Sequence, residues 1–327
     1  MSRRARPSHL PLRDGVAPSA VAVPQGRWMT VLECLSQRLP SVSPTIWTQR
    51  LQDGHVLNEA GHPLGPDSPC PPAGQRLYYY RHVAHEAPRA WDVRIVHQDS
   101  HLLVVDKPHG LPVIPSGRFV QHSLLVWLRR QLALNDLSPL HRIDRETAGL
   151  VAFSVQPDGR GAYQALFRDR QVYKRYTAIA ACPPAELTWP HIRRTRLVPD
   201  PAYFFRMTEV SGTPNSDTRL NCLGPLHPDS PWALYELEPH TGQRHQLRVH
   251  MNALGLPLRG DLWYPHVLQG PEGAQGTEDG EDAANTDDAS SEVLQLLAQT
   301  LALTDPLTGQ AHRFVSTRCL SGQQSSA

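Results

Sequence analysis

The stretch 141–155, HRIDRETAGLVAFSV, decides how this chain is read. Its first six residues set Arg142, Asp144, Arg145 and Glu146 beside His141, and they run directly into GLVAFSV, a short apolar segment with the composition of a buried strand. A carboxylate flanked by guanidiniums has a lowered pKa and stays ionised. An always-anionic Asp144 makes a poor general acid but a usable nucleophile. The same pattern also describes an ion-paired aspartate that only organises a turn, and by themselves these residues leave both readings open.

Working outward, DVRIVHQDSHLLVVDKP (92–108) holds two β-rich runs broken at Gln98, Asp99 and Ser100, a hairpin pattern. SLLVWLRRQLAL (123–134) and GRGAYQALFRDRQV (159–172) have the pattern of amphipathic helices. TGQRHQLRVHMNALG (241–255) predicts a further helix, with Leu247, Met251 and Leu254 at i, i+4 and i+7, Gly255 where a C-cap is wanted, and Pro257 stopping it. VLQLLAQTLALTDP (293–306) resumes apolar order. Nearer the N-terminus, WMTVLECLSQRL (28–39) and TIWTQRLQDG (45–54) predict two short helices, and GQRLYYYRHV (74–83) a strand closing a compact unit. Residues 1–26 read as a flexible basic tail. Strands and helices mix without regular βαβ alternation, which argues for an α+β fold rather than a doubly wound sheet.

The 327 residues are enough for one large domain plus a small module. No run of ~18 apolar residues predicts a membrane span, and the basic start MSRRARPSHLPLR lacks the apolar stretch of a secretory signal. Five scattered cysteines without a CxxC pair argue against a disulfide framework or a zinc site and for a reducing cytoplasm. The net charge of +1 hides a division: residues 266–292 carry eight acidic side chains and no Lys or Arg, leaving 32 basic against 23 acidic side chains elsewhere. A basic body with a detachable acidic, disordered loop points to a polyanionic partner. Among the basic residues only Lys107 and Lys174 are lysines. His240, His245 and His250 recur every five residues, a spacing that fits no common zinc pattern.

HRIDRETAGL resembles the signature of the RluA-family pseudouridine synthases, which isomerise uridine in ribosomal and transfer RNA. VHQDSHLLVVDKPHGLPVIPSG is similar to that family's opening strand pair and Lys-Pro-x-Gly turn, VYKRYTAIA to its tyrosine segment, and HTGQRHQLRVHMNALGLPLRGDLWYP to its arginine segment with the following Gly-Asp-x-x-Tyr. LQLLAQTLALTDPLTG resembles its C-terminal stretch, so the likeness covers roughly residues 92–320 in order. It implies an α+β catalytic domain over 90–327 with a mixed, mainly antiparallel central sheet flanked by helices and loops. It also implies a catalytic Asp144, an aromatic partner Tyr176, and Arg248 salt-bridging the aspartate. Arg142 would enter the RNA stack where the target base leaves, and His141, Arg145, Lys107, Lys174 and Arg244 would face RNA, with bracing of its turn the equal alternative for Lys107 and a structural hydrogen bond the alternative for His141. Asp261 reads as a turn acid. Gln243 departs from the family's usual Arg or Lys, and Leu297 from a common histidine. The expected protein is a cytoplasmic monomer acting on structured RNA without cofactor, metal or membrane. Residues 27–85 resemble an alpha-L RNA-binding module, with a packing extension as the alternative. A catalytically silent RNA-binding scaffold would have no chemical need for Asp144, Tyr176 and Arg248 together.

Overall fold

The computed structural model describes residues 9–26, 28–81, 86, 89–117, 119–268 and 292–322. They divide into two compact units, one drawn from 1–88 and 114–135 and the other from 89–113, 136–271 and 286–327. The acidic stretch expected to be a disordered loop lies, over 269–291, outside the described residues.

In the first unit the chain forms β1 (Ser19–Ala22), α1 (Val31–Arg38), α2 (Pro44–Gln52), β2 (Val56–Leu57) and β3 (Arg76–Tyr79), with sheet order β1-β3-β2. Thr30 caps α1 by accepting from the Glu33 N–H, and the Glu33 carboxylate accepts from the Met29 N–H at 2.8 Å. Ser43 caps α2, Pro44 opens it, and Gly54 at φ 65° follows its end. Val31, Leu35, Trp47, Leu51 and Leu77 fill the core between these elements. The expected flexible tail is corrected here for residues 9–26. Leu10 is wholly buried with Leu57, Tyr78 and Tyr80, and β1 pairs antiparallel with β3. The apolar residues between the prolines are few, but Leu10, Val16 and Val23 among them are buried.

The second unit opens with the hairpin β4 (Arg94–Gln98) and β5 (Leu102–Lys107), as the sequence predicts. The chain then gives α3 (Leu124–Leu132) to the first unit, where the Arg129 and Arg130 side chains donate to the carbonyls of Gly15 and Asp14 at 3.2 and 2.8 Å. The Glu86 carboxylate accepts from the N–H groups of Val120, Gln121 and His122. A single boundary near residue 90 is therefore corrected: 114–135 belongs with the N-terminal unit, because Val120 and Val126 bury their side chains beside Val16.

The rest of the second unit is β6 (Ser138–Pro139), β7 (Ala148–Ser154), α4 (Pro157–Arg168), β8 (Tyr173–Ala181), β9 (His191–Pro199), β10 (Met207–Val210), β11 (Ser216–Pro225), β12 (Trp232–Pro239), α5 (Gln246–Ala253), β13 (Leu296–Thr304) and β14 (Ala311–Val315). An 11-stranded sheet runs β10-β9-β11-β12-β8-β13-β7-β5-β4, with β14 on β13 and β6 on β7. Its described pairings are antiparallel except β13 with β7, so the expected mixed, mainly antiparallel α+β sheet is what forms. All seven residues of β7 are buried, which is why it reads as a continuous apolar run rather than an alternating one. On one side Tyr163, Leu166 and Phe167 of α4 pack with Leu102, Val104, Leu150 and Ala152. Elsewhere Leu247 and Met251 of α5 pack with Ala178, Ala180, Leu220, Tyr235 and Leu237 of β8, β11 and β12. Among the described residues no helix is long and apolar enough to cross a membrane.

The parallel pairing sets Ala148 against Leu297 and Gly149 against Ala298. Gly149 has φ 110°, and a Cβ there would lie 2.3 Å from the Ala298 carbonyl oxygen and 2.6 Å from its nitrogen. These nearest atoms are Ala298 backbone, so no flexible side chain is there to give way. Gly149→Ala should therefore lower stability by roughly 2–5 kcal/mol through strain plus overpacking, read as a shift of the urea midpoint. A midpoint unchanged within error would show that β13 does not cross β7 this closely.

Candidate active site

The loop ahead of β7 carries Asp144, and buried groups hold that loop in place. Lys107, at the end of β5, is fully buried, and its ammonium donates to the carbonyls of Arg145 at 3.0 Å and Pro108 at 2.9 Å. His109 Nδ1 reaches the Glu146 carbonyl at 2.5 Å, and the Thr147 N–H closes the turn on the Asp144 carbonyl at 3.2 Å. Of the two roles expected of Lys107, an RNA contact or a turn brace, this burial speaks against the first. Burial takes it out of reach of phosphate and pushes its pKa down to about 7, against the pull of Glu146 and Asp144. It braces the turn instead.

Arg248, on α5, is the centre of the charge arrangement. Its side chain is 3% exposed, and it donates through Nε and Nη2 to both oxygens of Asp261, itself 0% exposed, at 2.8 and 2.7 Å. The remaining Nη1 lies 3.5 Å from Asp144 Oδ2, and Asp144 keeps 26% of its side chain open. The expected Arg248–Asp144 ion pair is therefore present, but a bidentate pair with Asp261 dominates it. Asp261 also accepts from the N–H groups of Trp263 and Tyr264, so it is the turn acid its sequence suggests and also the main partner of the arginine. The rings of Trp263 and Tyr264 lie 4.8 and 5.2 Å from the guanidinium.

Burial alone would raise the Asp144 pKa, but His245, Arg248 and Arg142 outweigh it and hold the carboxyl below its ordinary value. Burial pushes His245 itself down to about 4, so near neutral pH its ring is neutral while the guanidiniums of Arg248 and Arg142 keep their charge beside Asp144. The Tyr264 hydroxyl donates to the Met207 carbonyl at 3.1 Å and accepts from the Met207 N–H at 2.9 Å. It therefore accepts a hydrogen bond from the His245 Nδ1–H at 3.0 Å, which fixes the tautomer. Tyr176, on β8, is raised above the usual phenol range by burial and by the Asp144 charge, so it stays protonated.

These groups face a cleft of about 450 Å³ whose lining includes Arg142, Asp144, Arg170, Lys174, Tyr176 and His245. Arg142 is exposed there, while burial, and then Arg170, lower the Lys174 pKa. His141 also borders the cleft, but its Nε2 accepts from the Ala152 N–H at 3.1 Å and its ring stacks on Phe167 at 4.9 Å. Of the remaining expected RNA contacts, Arg145 pairs with Glu146 at 2.6 Å, and Arg244 donates to the carbonyls of Phe204 and Phe205. The helix carrying Arg248 begins at Gln246, later than the sequence pattern suggests. His245 precedes it at φ 52°, and the Gln246 side chain turns back to accept from Thr241 Oγ1 and the Gln243 N–H. Sequence reasoning missed Arg168 and Arg170 on the cleft wall and the nearness of His245 to Asp144. The Arg-Asp-Arg run at 168–170 was a signal available to it.

Residues 101–253 match a family model described as RNA pseudouridylate synthase. The chain is 32% identical over 238 residues to an uncharacterized RNA pseudouridine synthase of Synechocystis sp., spanning 72% of this chain and 79% of that one. It is 29% identical over 232 residues to the dual-specificity RNA pseudouridine synthase RluA of Haemophilus influenzae, spanning 67% and 90%. Among solved structures, human RNA pseudouridylate synthase domain containing 4 superposes with a TM-score of 0.51 at 28% identity, over 69% of this chain and 88% of that one. The fold is that of an isomerase acting on RNA. The chain belongs to the RluA family of RNA pseudouridine synthases.

Two outcomes follow from the charges. Asp261→Ala strands a buried guanidinium and should cost about 3–5 kcal/mol, more than Asp144→Asn costs. Urea unfolding of both variants checks the order, and the reverse order would make Asp144 the main partner. The second concerns pH. Burial pushes His141 to about 3 and His245 and His250 to about 4, whereas the unfolded rings take up protons near 6.5. Between these values the unfolded state binds more protons, so stability falls as pH drops from about 6.5 towards 4, by roughly 1–3 kcal/mol for each ring. A urea midpoint that does not change between pH 7 and 5 would show these rings to be solvated.

Proposed function

We propose that Asp144 is the catalytic group for isomerising uridine to pseudouridine in structured RNA of the ribosomal or transfer class. The observation that carries this reading is an ionised carboxylate at the edge of a basic cleft, held by a guanidinium that is itself spent on another acid. The reaction breaks the N1–C1′ bond, turns the base and joins C5 to C1′. The C5 proton is lost and N1 gains one, so the product is an isomer. Attack at C1′ or at C6 requires the anionic form of Asp144, and Arg248 and Arg142 favour that form. Tyr176 stays a phenol beside the carboxylate, able to pack against the base and to move a proton.

A uridine within structured RNA reaches such a cleft only by leaving its stack, at a cost of a few kcal/mol. Arg142, exposed at the cleft, is the side chain we assign to the vacated space. Lys174 and Arg170 on the cleft wall are assigned to phosphates. Replacing Asp144 by Asn keeps the shape and removes the charge. Pseudouridine formation in unmodified RNA, followed by mass spectrometry, should then fall by about 10³-fold or more, with RNA affinity within about threefold. Residual activity within about tenfold of wild type would remove Asp144 from the mechanism.

A further inference from the structure

The segment Asp200–Arg206, between β9 and β10, presents two aromatic rings to solvent. Phe204 is 70% exposed and Tyr203 42% exposed. An exposed ring on a loose loop would need no explanation, but this loop is tied down. The Arg206 N–H donates to the Tyr203 carbonyl at 2.8 Å, the Asp200 carboxylate accepts from the Ala202 N–H at 2.9 Å, and the Arg244 guanidinium grips the carbonyls of Phe204 and Phe205. Arg206 lies over the rings of both Tyr203 and Tyr264, at 5.5 and 4.7 Å.

Behind the exposed face the aromatics continue to the cleft. Phe204 meets Phe205 edge-on at 5.4 Å, Phe205 meets Trp263 at 5.1 Å, and Trp263 meets His245, which lines the cleft, at 5.2 Å. A flat apolar face is thus held still and joined to the site through rigid neighbours, while Arg142, Arg170 and Lys174 supply positive charge along the cleft. Aromatic faces next to cationic tracks are how single-stranded nucleic acid is held, since every base has a π-face. We propose that Phe204, with Tyr203 beside it, is a stacking platform for an unpaired RNA base flanking the uridine received at Asp144. This rests on the reading of the cleft given above. It also gives Arg244 a role as the clamp of the platform rather than a phosphate contact.

The test uses the full-length protein and an unmodified stem-loop RNA, cut from a region where the wild-type protein forms pseudouridine, with 2-aminopurine beside the target uridine. Phe204→Ala should weaken binding and raise KM by about 5- to 100-fold, as expected for loss of one stacked base. The salt dependence of affinity should stay the same, because no phosphate contact is lost. Phe204→Trp should bind within about threefold of wild type, and the wild-type and Trp proteins, but not the Ala protein, should quench the 2-aminopurine. Affinity of Phe204→Ala within about twofold of wild type, or unchanged quenching, overturns the proposal. It is also overturned if Phe204→Ala abolishes self-association while RNA affinity stays constant, since the platform would then serve a second copy of the chain. Full activity in Asp144→Asn would strike the catalytic reading instead, and the quenching result would stand apart from it.

Discussion

A buried guanidinium that touches two carboxylates unequally is the constraint around which this site is built. Arg248 has five N–H donors and almost no access to water, so its charge has to be met within the protein. Asp261 meets it with two short hydrogen bonds, and the same carboxylate also takes the N–H groups of Trp263 and Tyr264. The turn after α5 is therefore closed by the acid that neutralises the helix's arginine. Without that turn the two rings packed against the guanidinium would have no fixed place.

The loop bearing Asp144 is fixed from another direction. Lys107 and His109 reach it from the end of β5 and pin the carbonyls of Arg145 and Glu146. Immediately afterwards, Ala148 and Gly149 enter β7 where β13 crosses in parallel. Small residues at that point let the β13 backbone approach, and Gly149 accepts a φ that other residues resist. One short motif thus serves two purposes. Its charged half forms a cleft edge, and its small residues admit the strand that joins β7 to β8.

Features governed by local pattern were legible in the sequence. The β4–β5 hairpin, the amphipathic α3 and α4, and the two short helices α1 and α2 follow from apolar spacing, although the caps at Thr30 and Ser43 were not read. The Gly255 stop after α5, with φ 74°, was legible as well. The strands β9 to β12 were not read. In β9 the exposed positions hold Ile192, Arg194 and Arg196, so its alternation is not one of apolar against polar. For Lys107 an RNA contact and a turn brace both stayed open, because a lysine in a turn looks the same in sequence whether it points out or in; the carbonyls around it favour the brace. Asp261 was read as a turn acid, and its pairing with Arg248 was hidden because a sequence of charges does not say which acid wins an arginine.

That competition bears on reactivity. Had Asp144 received the bidentate pair, both its oxygens would be tied to one guanidinium, and the attack proposed for it would have to break those bonds first. Had it received no cation, burial would raise its pKa and work against the charged form that the proposed reaction needs. Giving Nε and Nη2 to Asp261 and leaving Nη1 at 3.5 Å from Asp144 lies between these extremes. The carboxylate stays charged, its lone pairs stay largely uncommitted, and a quarter of its surface stays open to the cleft. In this arrangement Asp261 acts on Asp144 without touching it, by setting how much of Arg248 is left over.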